Sequence, residues 1–195
     1  MHTELRRLQT SDAPALQRLF EQAPSYQAAV SNDPLSAQAG EEELVACPSG
    51  LPLSDKHLIG RWEQGELTAV IDLLRGYPNP DTAYLGLLLV GEPWQGSGRG
   101  QSLYLHACTL ASSWGATRLR LSVIASNESA LSFWLRRGFT ECYRRKLAGY
   151  RAEVCRRAFA WHNRPSRFAL VRSFDEKVVH PPASPLALWL QCRAR

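Results

Sequence analysis

Long hydrophobic runs are missing from this chain of 195 residues. No stretch approaches the roughly 20 apolar residues that span a bilayer, so no membrane-spanning helix is expected. The opening Met1-His2-Thr3-Glu4-Leu5-Arg6-Arg7 has no apolar stretch behind its charges and does not read as a signal peptide. Cysteine is sparse and unpatterned. The five (Cys47, Cys108, Cys142, Cys155 and Cys192) are odd in number and form no Cys-x-x-Cys pair. That argues against a disulfide framework and against a zinc site, and predicts a reducing, cytoplasmic setting. Internal repeats and low-complexity segments are also absent. What remains is ordinary for a globular chain: 45% hydrophobic and 21% charged residues, at a length suited to one domain.

The net charge of +5 is unevenly spread. Residues 1–143 carry 11 basic and 15 acidic side chains, whereas residues 144–195 carry 12 and 3. The basic character belongs to the C-terminal quarter. Such an end either binds an acidic surface such as nucleic acid or forms a solvated face.

Hydrophobic spacing outlines the elements. Residues 3–9 read as a first strand. Ser11 or Asp12 caps a helix with Pro14 in its first turn, whose apolar face is Leu16, Leu19 and Phe20. Residues 24–55 are poorly patterned and leave room for one or two short helices. Residues 57–63 and 67–74 flank Gln64-Gly65-Glu66 and predict a hairpin. Residues 84–90 are almost wholly apolar, as in a strand buried on both faces. Leu103, Ala107, Leu110 and Trp114 lie on one face of a helix over residues 101–114. Leu119, Leu121 and Val123 alternate with polar residues in a further strand. Ser126 or Asn127 caps a short helix ending at Gly138, and residues 139–144 read as a strand. Residues 144–162 suggest a basic helix, and residues 186–191 a last strand.

Gln95-Gly96-Ser97-Gly98-Arg99-Gly100 joins the buried strand to the long helix. Three glycines bare the backbone N–H groups at a helix N-terminus, where the helix dipole also favours an anion. A Walker loop would require Lys after the last glycine, and Gln101 stands there. A dinucleotide fingerprint would require G-x-G-x-x-G, and these glycines alternate at 96, 98 and 100. A third pattern, Gln or Arg, two residues, Gly, one residue, Gly or Ala, fits Gln95, Gly98 and Gly100. A plain tight strand-to-helix turn is the remaining alternative.

Some 27 residues past Gly100 comes Asn127-Glu128-Ser129-Ala130-Leu131-Ser132-Phe133-Trp134-Leu135-Arg136-Arg137-Gly138-Phe139. The glycine loop and this segment, at this spacing, resemble the GNAT N-acyltransferase superfamily. The resemblance is close over residues 82–143 and in element order alone over residues 1–81. It implies an α/β (α+β) fold: one domain over residues 1–146, with a mixed, mostly antiparallel central sheet flanked by helices and strands splayed at a cofactor slot. Residues 147–195 would form a basic C-terminal extension able to contribute a final strand.

By the same resemblance the co-substrate is acetyl-CoA, with no metal. The backbone of Gln95, Gly96, Ser97, Gly98, Arg99 and Gly100 would hold its pyrophosphate, with the Arg99 side chain adding charge or turned away. Leu88, Leu89 and Val90 would pair with the pantetheine arm as an added strand does. Gly86 would supply a bulge that opens the slot, or serve as a packing glycine. Asn127 would bond the arm or the pyrophosphate, a role compatible with a helix cap. Trp134 stands where many members carry the tyrosine that protonates the departing thiolate. An indole N–H donates a hydrogen bond but supplies no acid. Trp134 therefore packs on the cofactor arm or in the core, and Tyr143 or Ser132 are other candidate acids.

Asp72, a carboxylate inside the apolar run 69–74, is the candidate base or substrate anchor, since burying an unpaired carboxylate is expensive. A solvated strand face is the alternative. Glu92 is a second candidate base, and Tyr77 and Tyr84 flank the acceptor region. The implied partner is a small-molecule or peptide amine, with no membrane, and a homodimer is an assembly common among such proteins. Two other functions stay open. One is a sensor that binds acyl-CoA without turnover; the other is a nucleic-acid or ribosome partner using the basic C-terminal segment.

Overall fold

The computed structural model describes residues 3–31, 33–124, 127–146 and 155–162. Strand β1 (Thr3–Arg7) leads through a 3-10 turn into helix α1 (Ala13–Glu21). Pro14 occupies the first turn of α1, and Leu16, Leu19 and Phe20 are buried on its inner face. Asp12 precedes the helix without capping it through its side chain. Its carboxylate instead accepts both arms of the Arg6 fork at 2.7 and 2.8 Å and the Gln9 N–H at 2.8 Å. The weakly patterned stretch that follows forms two short helices, α2 (Pro24–Val30) and α3 (Ala39–Val45). Helix α3 lies directly on α1: a Cβ at Gly40 would come within 2.3 Å of the Ala13 carbonyl oxygen.

The hairpin forms as the spacing predicts. Strands β2 (Lys56–Glu63) and β3 (Glu66–Arg75) are joined through Gln64 and Gly65, both at positive φ (52° and 83°). Two consecutive left-handed residues match the right-handed twist of the flanking strands. Strand β3 is buried from Leu67 to Leu74, which explains its nearly unbroken apolar sequence. Next come β4 (Thr82–Val90), α4 (Arg99–Ser113), β5 (Arg118–Ile124), α5 (Glu128–Leu135), β6 (Thr140–Lys146) and β7 (Cys155–His162). The seven strands lie in the order β1-β2-β3-β4-β5-β7-β6. All pairings are antiparallel except β4 with β5, which is parallel.

Two cores sandwich this sheet. Ile71, Leu73, Ala83, Leu85, Leu119, Leu121 and Val123 pack with Leu103 and Ala107 of α4 and Leu131 of α5. On the other face, Leu58, Val70, Leu87 and Leu89 pack with Leu16, Leu19 and Phe20 of α1 and Ala39 of α3. The helices therefore flank both faces of a mixed, mostly antiparallel sheet, as expected.

The basic helix expected over residues 144–162 is corrected. Residues 140–146 and 155–162 are strands, and β7 sits between β5 and β6 with main-chain pairing on both edges. Strand pairing on two sides overrides a weak helical reading, and the alternation of Phe159 and Trp161 with Ala158 and Ala160 was the available cue. The strand expected over residues 186–191 lies outside the described residues. Among the described residues, no helix is long and apolar enough to cross a membrane.

Candidate functional site

A gap in the sheet begins at one glycine. Asp72 of β3 pairs with Leu87 of β4, and the next residue, Leu73, pairs with Leu85. Gly86 is thus an extra residue on β4, a β-bulge. Side chains alternate along a strand, so one inserted residue reverses the faces beyond it. Ala83 and Leu85 accordingly face α4, while Leu87 and Leu89 face α1. The bulge also ends the parallel pairing. Strand β4 meets β5 only from Thr82 opposite Arg118 to Leu85 opposite Leu121. Beyond that point Leu88, Leu89 and Val90 stay bonded to β3, whereas Ser122, Val123 and Ile124 pair with β7. The two strands diverge, and the β5-facing edge of residues 86–90 opens into a slot.

The glycine loop stands at the open end of this slot. Gly96 (φ 74°) and Gly98 (φ 81°) adopt the left-handed conformation, and a Cβ on either would meet nothing within 4 Å. Gly98 is the N-cap of α4, and no side chain caps the helix. The first helical bond runs from the Ser102 N–H to the Gly98 carbonyl at 3.0 Å. Among the described residues, no hydrogen bond engages the amides of residues 96–101. These are the donors that a helix N-terminus leaves for a partner. Side chains brace the loop from outside. Gln95 donates to the Val90 carbonyl at 3.1 Å, and the Ser97 hydroxyl donates to the Trp94 carbonyl. Arg99 donates to Glu63 of β2 through Nε and Nη2, and through Nη1 to the Ser97 hydroxyl of the loop. That fork, with Arg61 at 2.7 Å, holds the Glu63 carboxyl below its ordinary range.

Helix α5 closes the same side. Asn127 caps it, its Oδ1 accepting the Ala130 N–H at 3.0 Å, which leaves its amide NH2 for another partner. Trp134 is 5% exposed and meets Tyr104, Phe133 and Phe139 edge-on, with ring centroids 4.8–5.6 Å apart. Its indole belongs to the aromatic core. Arg137 ties α5 to the first turns of α4: its guanidinium lies 3.3 Å over the Phe133 ring and donates to Gln101 at 3.3 Å.

The opposite face carries the carboxylates. Asp72 is 0% exposed, which excludes the solvated alternative. Its Oδ1 lies 3.0 Å from Lys56 Nζ, and the same ammonium donates to Glu43 Oε1 at 3.0 Å. Three charged side chains from α3, β2 and β3 thus meet beneath the bulge. Glu92 sits elsewhere, in a 3-10 turn after β4. It accepts the Ser25 hydroxyl and the Ser25 N–H (2.9 Å), bonds that hold its carboxyl below the usual range. Tyr84 bonds the Ser122 hydroxyl at 2.8 Å across the last paired turn of β4 and β5, and Tyr77 meets it edge-on at 5.7 Å.

The structure therefore brings residues 95–100 to the end of the open β4 edge formed by Leu88, Leu89 and Val90, and sets Asn127 at the N-terminus of α5. It sets Asp72, Tyr77 and Tyr84 on or near the far side of the bulge, and leaves Glu92 at the N-terminus of α2. Sequence reasoning missed Glu43 and Lys56. Glu43 was hidden in the acidic run 41–43, which resembles a solvated helix face. Lys56, heading a strand whose neighbour carries Asp72, was the available signal.

The model of the acetyltransferase (GNAT) family matches residues 15–139. An acetyltransferase from Thermus thermophilus is 26% identical, with a TM-score of 0.64 over 83% of this chain and 97% of that one. An N-acetyltransferase from Staphylococcus aureus (15% identity, TM-score 0.66, 83% and 99% covered) shares the fold. So does the ribosomal-protein-S18-alanine N-acetyltransferase from Escherichia coli (18%, 0.64, 88% and 100%). A search of curated protein sequences finds no match. With its bulged fourth strand, its open slot and more than half its length matched, this chain belongs to the GNAT acetyltransferase family and is an acyltransferase.

Proposed function

We propose that the protein transfers an acetyl group from acetyl-CoA to a primary amine in the cytoplasm. One observation carries this reading: the unengaged amides of residues 96–101 and the open β4 edge beyond Gly86 are continuous. A diphosphate fits the first and an extended amide-bearing arm fits the second. Leu88, Leu89 and Val90 would bond the arm, and the amide NH2 of Asn127 would meet it from α5. The co-substrate supplies an activated thioester, and the protein's part is to place an amine against it.

An alkyl amine has a pKa near ~10, so only about one molecule in a thousand is neutral at pH 7. The acceptor side must therefore take a proton. Asp72 is too enclosed to touch substrate, and in this reading it acts through Lys56 as a positioning residue. Tyr77 and Tyr84 border the acceptor region. Glu92, committed to Ser25, holds its proton too weakly to serve well as a base.

Gly98→Glu tests the reading by placing a carboxylate where the diphosphate would sit. CoA affinity should fall at least 100-fold by calorimetry, and thiol release from acetyl-CoA should fall with it. Retained affinity in a folded Gly98→Glu protein would contradict the assignment. A second reading, binding without turnover, is favoured by the burial of Trp134, which leaves the usual acid position without an ionisable group. CoA binding with no thiol release across a broad amine panel would select it.

A further inference from the structure

Resting on that reading, we infer that Glu63 of β2 is a positioning residue for the coenzyme. Acting through Arg99 and Ser97, it holds the glycine loop in the shape that presents the free amides, and so sets CoA affinity from a neighbouring strand.

The loop has little of its own to hold it. Gly96 and Gly98 both sit at positive φ, and a Cβ on either would meet nothing within 4 Å, so packing does not fix the backbone there. Glycine also loses more conformational freedom on ordering than any other residue. Among the described residues, the hydrogen bonds that reach residues 96–98 are those at the Ser97 hydroxyl and the first helical bond at the Gly98 carbonyl. Ser97 lies between the two glycines. Its hydroxyl donates to the Trp94 carbonyl behind it and accepts from Arg99 Nη1 ahead of it. That uses the single proton and a lone pair of the one side chain placed to fix the loop.

The anchor of this chain of bonds is Glu63. Its Oε1 accepts Arg99 Nε at 2.9 Å and its Oε2 accepts Arg99 Nη2. Two such charge-assisted bonds fix the plane of a guanidinium as well as its position. Arg61 adds a second grip: its Nε donates to Glu63 at 2.7 Å, and its Nη1 donates to the Ser102 hydroxyl of α4 at 3.0 Å. One strand end therefore holds the loop at Ser97 and the helix at Ser102. Strand β2 is itself paired on both edges, with β1 and with β3, so the anchor is rigid. A loop ordered in advance gives up less freedom when a ligand arrives, and that saving appears as affinity. Losing Glu63 removes an anchor rather than a donor to the diphosphate.

The test uses Glu63→Gln and Ser97→Ala, read by amide order parameters in the ligand-free protein and by calorimetry with CoA at pH 7. In the wild type, residues 96–99 should be as rigid as strand backbone, with order parameters of about 0.85, and either variant should bring them below about 0.6. CoA affinity should fall about 10-fold in each, the equivalent of ordering about one residue at the moment of binding. The double variant should bind no worse than the weaker single one, because both break the same chain of bonds. Ser97→Ala leaves the Glu63–Arg99 pair intact, so it decides the matter if Glu63→Gln fails to fold. Glu66→Gln, at the register partner of Glu63 across the turn, is the control and should move neither reading. Order parameters at residues 96–99 unmoved by both variants would overturn the inference. So would a loosened loop that binds CoA as tightly as before, or equal loosening by Glu66→Gln. Should the wild type bind no CoA, the acetyl-CoA reading fails, and the order parameters alone decide whether Glu63 holds the loop.

Discussion

At the scale of single residues, charge is spent on holding backbone in place. Glu63 shows this most plainly. It accepts Nε and Nη2 of Arg99, whose Nη1 donates to the Ser97 hydroxyl, so the guanidinium braces the glycine loop from β2. Its carboxyl is depressed, foremost by the Arg99 hydrogen bond and then by Arg61. A depressed folded pKa means the unfolded chain binds the proton first, so the contribution is complete above the ordinary carboxylate range and is lost as pH falls through the folded value. Glu63→Gln should therefore lower stability at pH 7 and flatten its decline below about pH 4.5, as read by urea midpoints across pH. Lys56 is the larger case, since its one ammonium meets both Glu43 and Asp72. Breaking a buried ion pair by removing one partner costs about 3–5 kcal/mol, so Lys56→Met should lower the denaturant midpoint by that equivalent. Asp72 was visible in the sequence as a carboxylate in an apolar strand. Its partners were not, because the ion pair joins three separate elements whose packing the spacing alone does not show.

At the scale of elements, two glycines stand where the geometry is set. Gly86 reverses which faces Leu87 and Leu89 present, and thereby ends the β4–β5 pairing. The sequence offered a glycine in an apolar strand, which reads equally as a bulge or as close packing; register alone separates the two. Gly40 lets α3 rest on α1 and so places Glu43. Gly40→Ala would drive a methyl into the Ala13 carbonyl and the Gln17 amide, backbone atoms that cannot swing aside. Overpacking of this kind costs about 1–3 kcal/mol. A lowered melting temperature and unaltered CoA affinity are the expected results. Gly100 is the contrast: a Cβ there meets Val90 at 3.5 Å and Phe133 at 3.9 Å, ordinary contacts. Gly100→Ala should bind CoA within about threefold of the wild type. Helices α2 and α3 were hard to read because each is only 7 residues long and buries too few positions to show a period.

At the scale of the whole molecule, the sheet separates two tasks. The α4 and α5 side presents the loop and slot, while the α1 and α3 side holds the buried charges Glu43, Lys56 and Asp72. The first side was legible because its amides, glycines and spacing are local. The second was not, since it is assembled from segments with little pattern of their own. Strand β7 repeats the lesson: residues 155–162 make sense as a strand only beside β5 and β6. Ligand binding should also be visible globally. At about 100 times Kd a ligand stabilises the fold by about 2.7 kcal/mol. For a chain of this size each kcal/mol raises Tm by about 2–4 °C. CoA at that excess should therefore raise Tm by about 5–10 °C in the wild type and leave Gly98→Glu unmoved.

The most direct test is residue-resolved. Amide chemical shifts in a nitrogen-labelled sample titrated with CoA should move most at residues 96–101 and at Leu88, Leu89 and Val90, saturating together with the calorimetric isotherm. Saturable CoA binding that leaves those amides where they were, and moves another part of the sheet instead, would contradict the account.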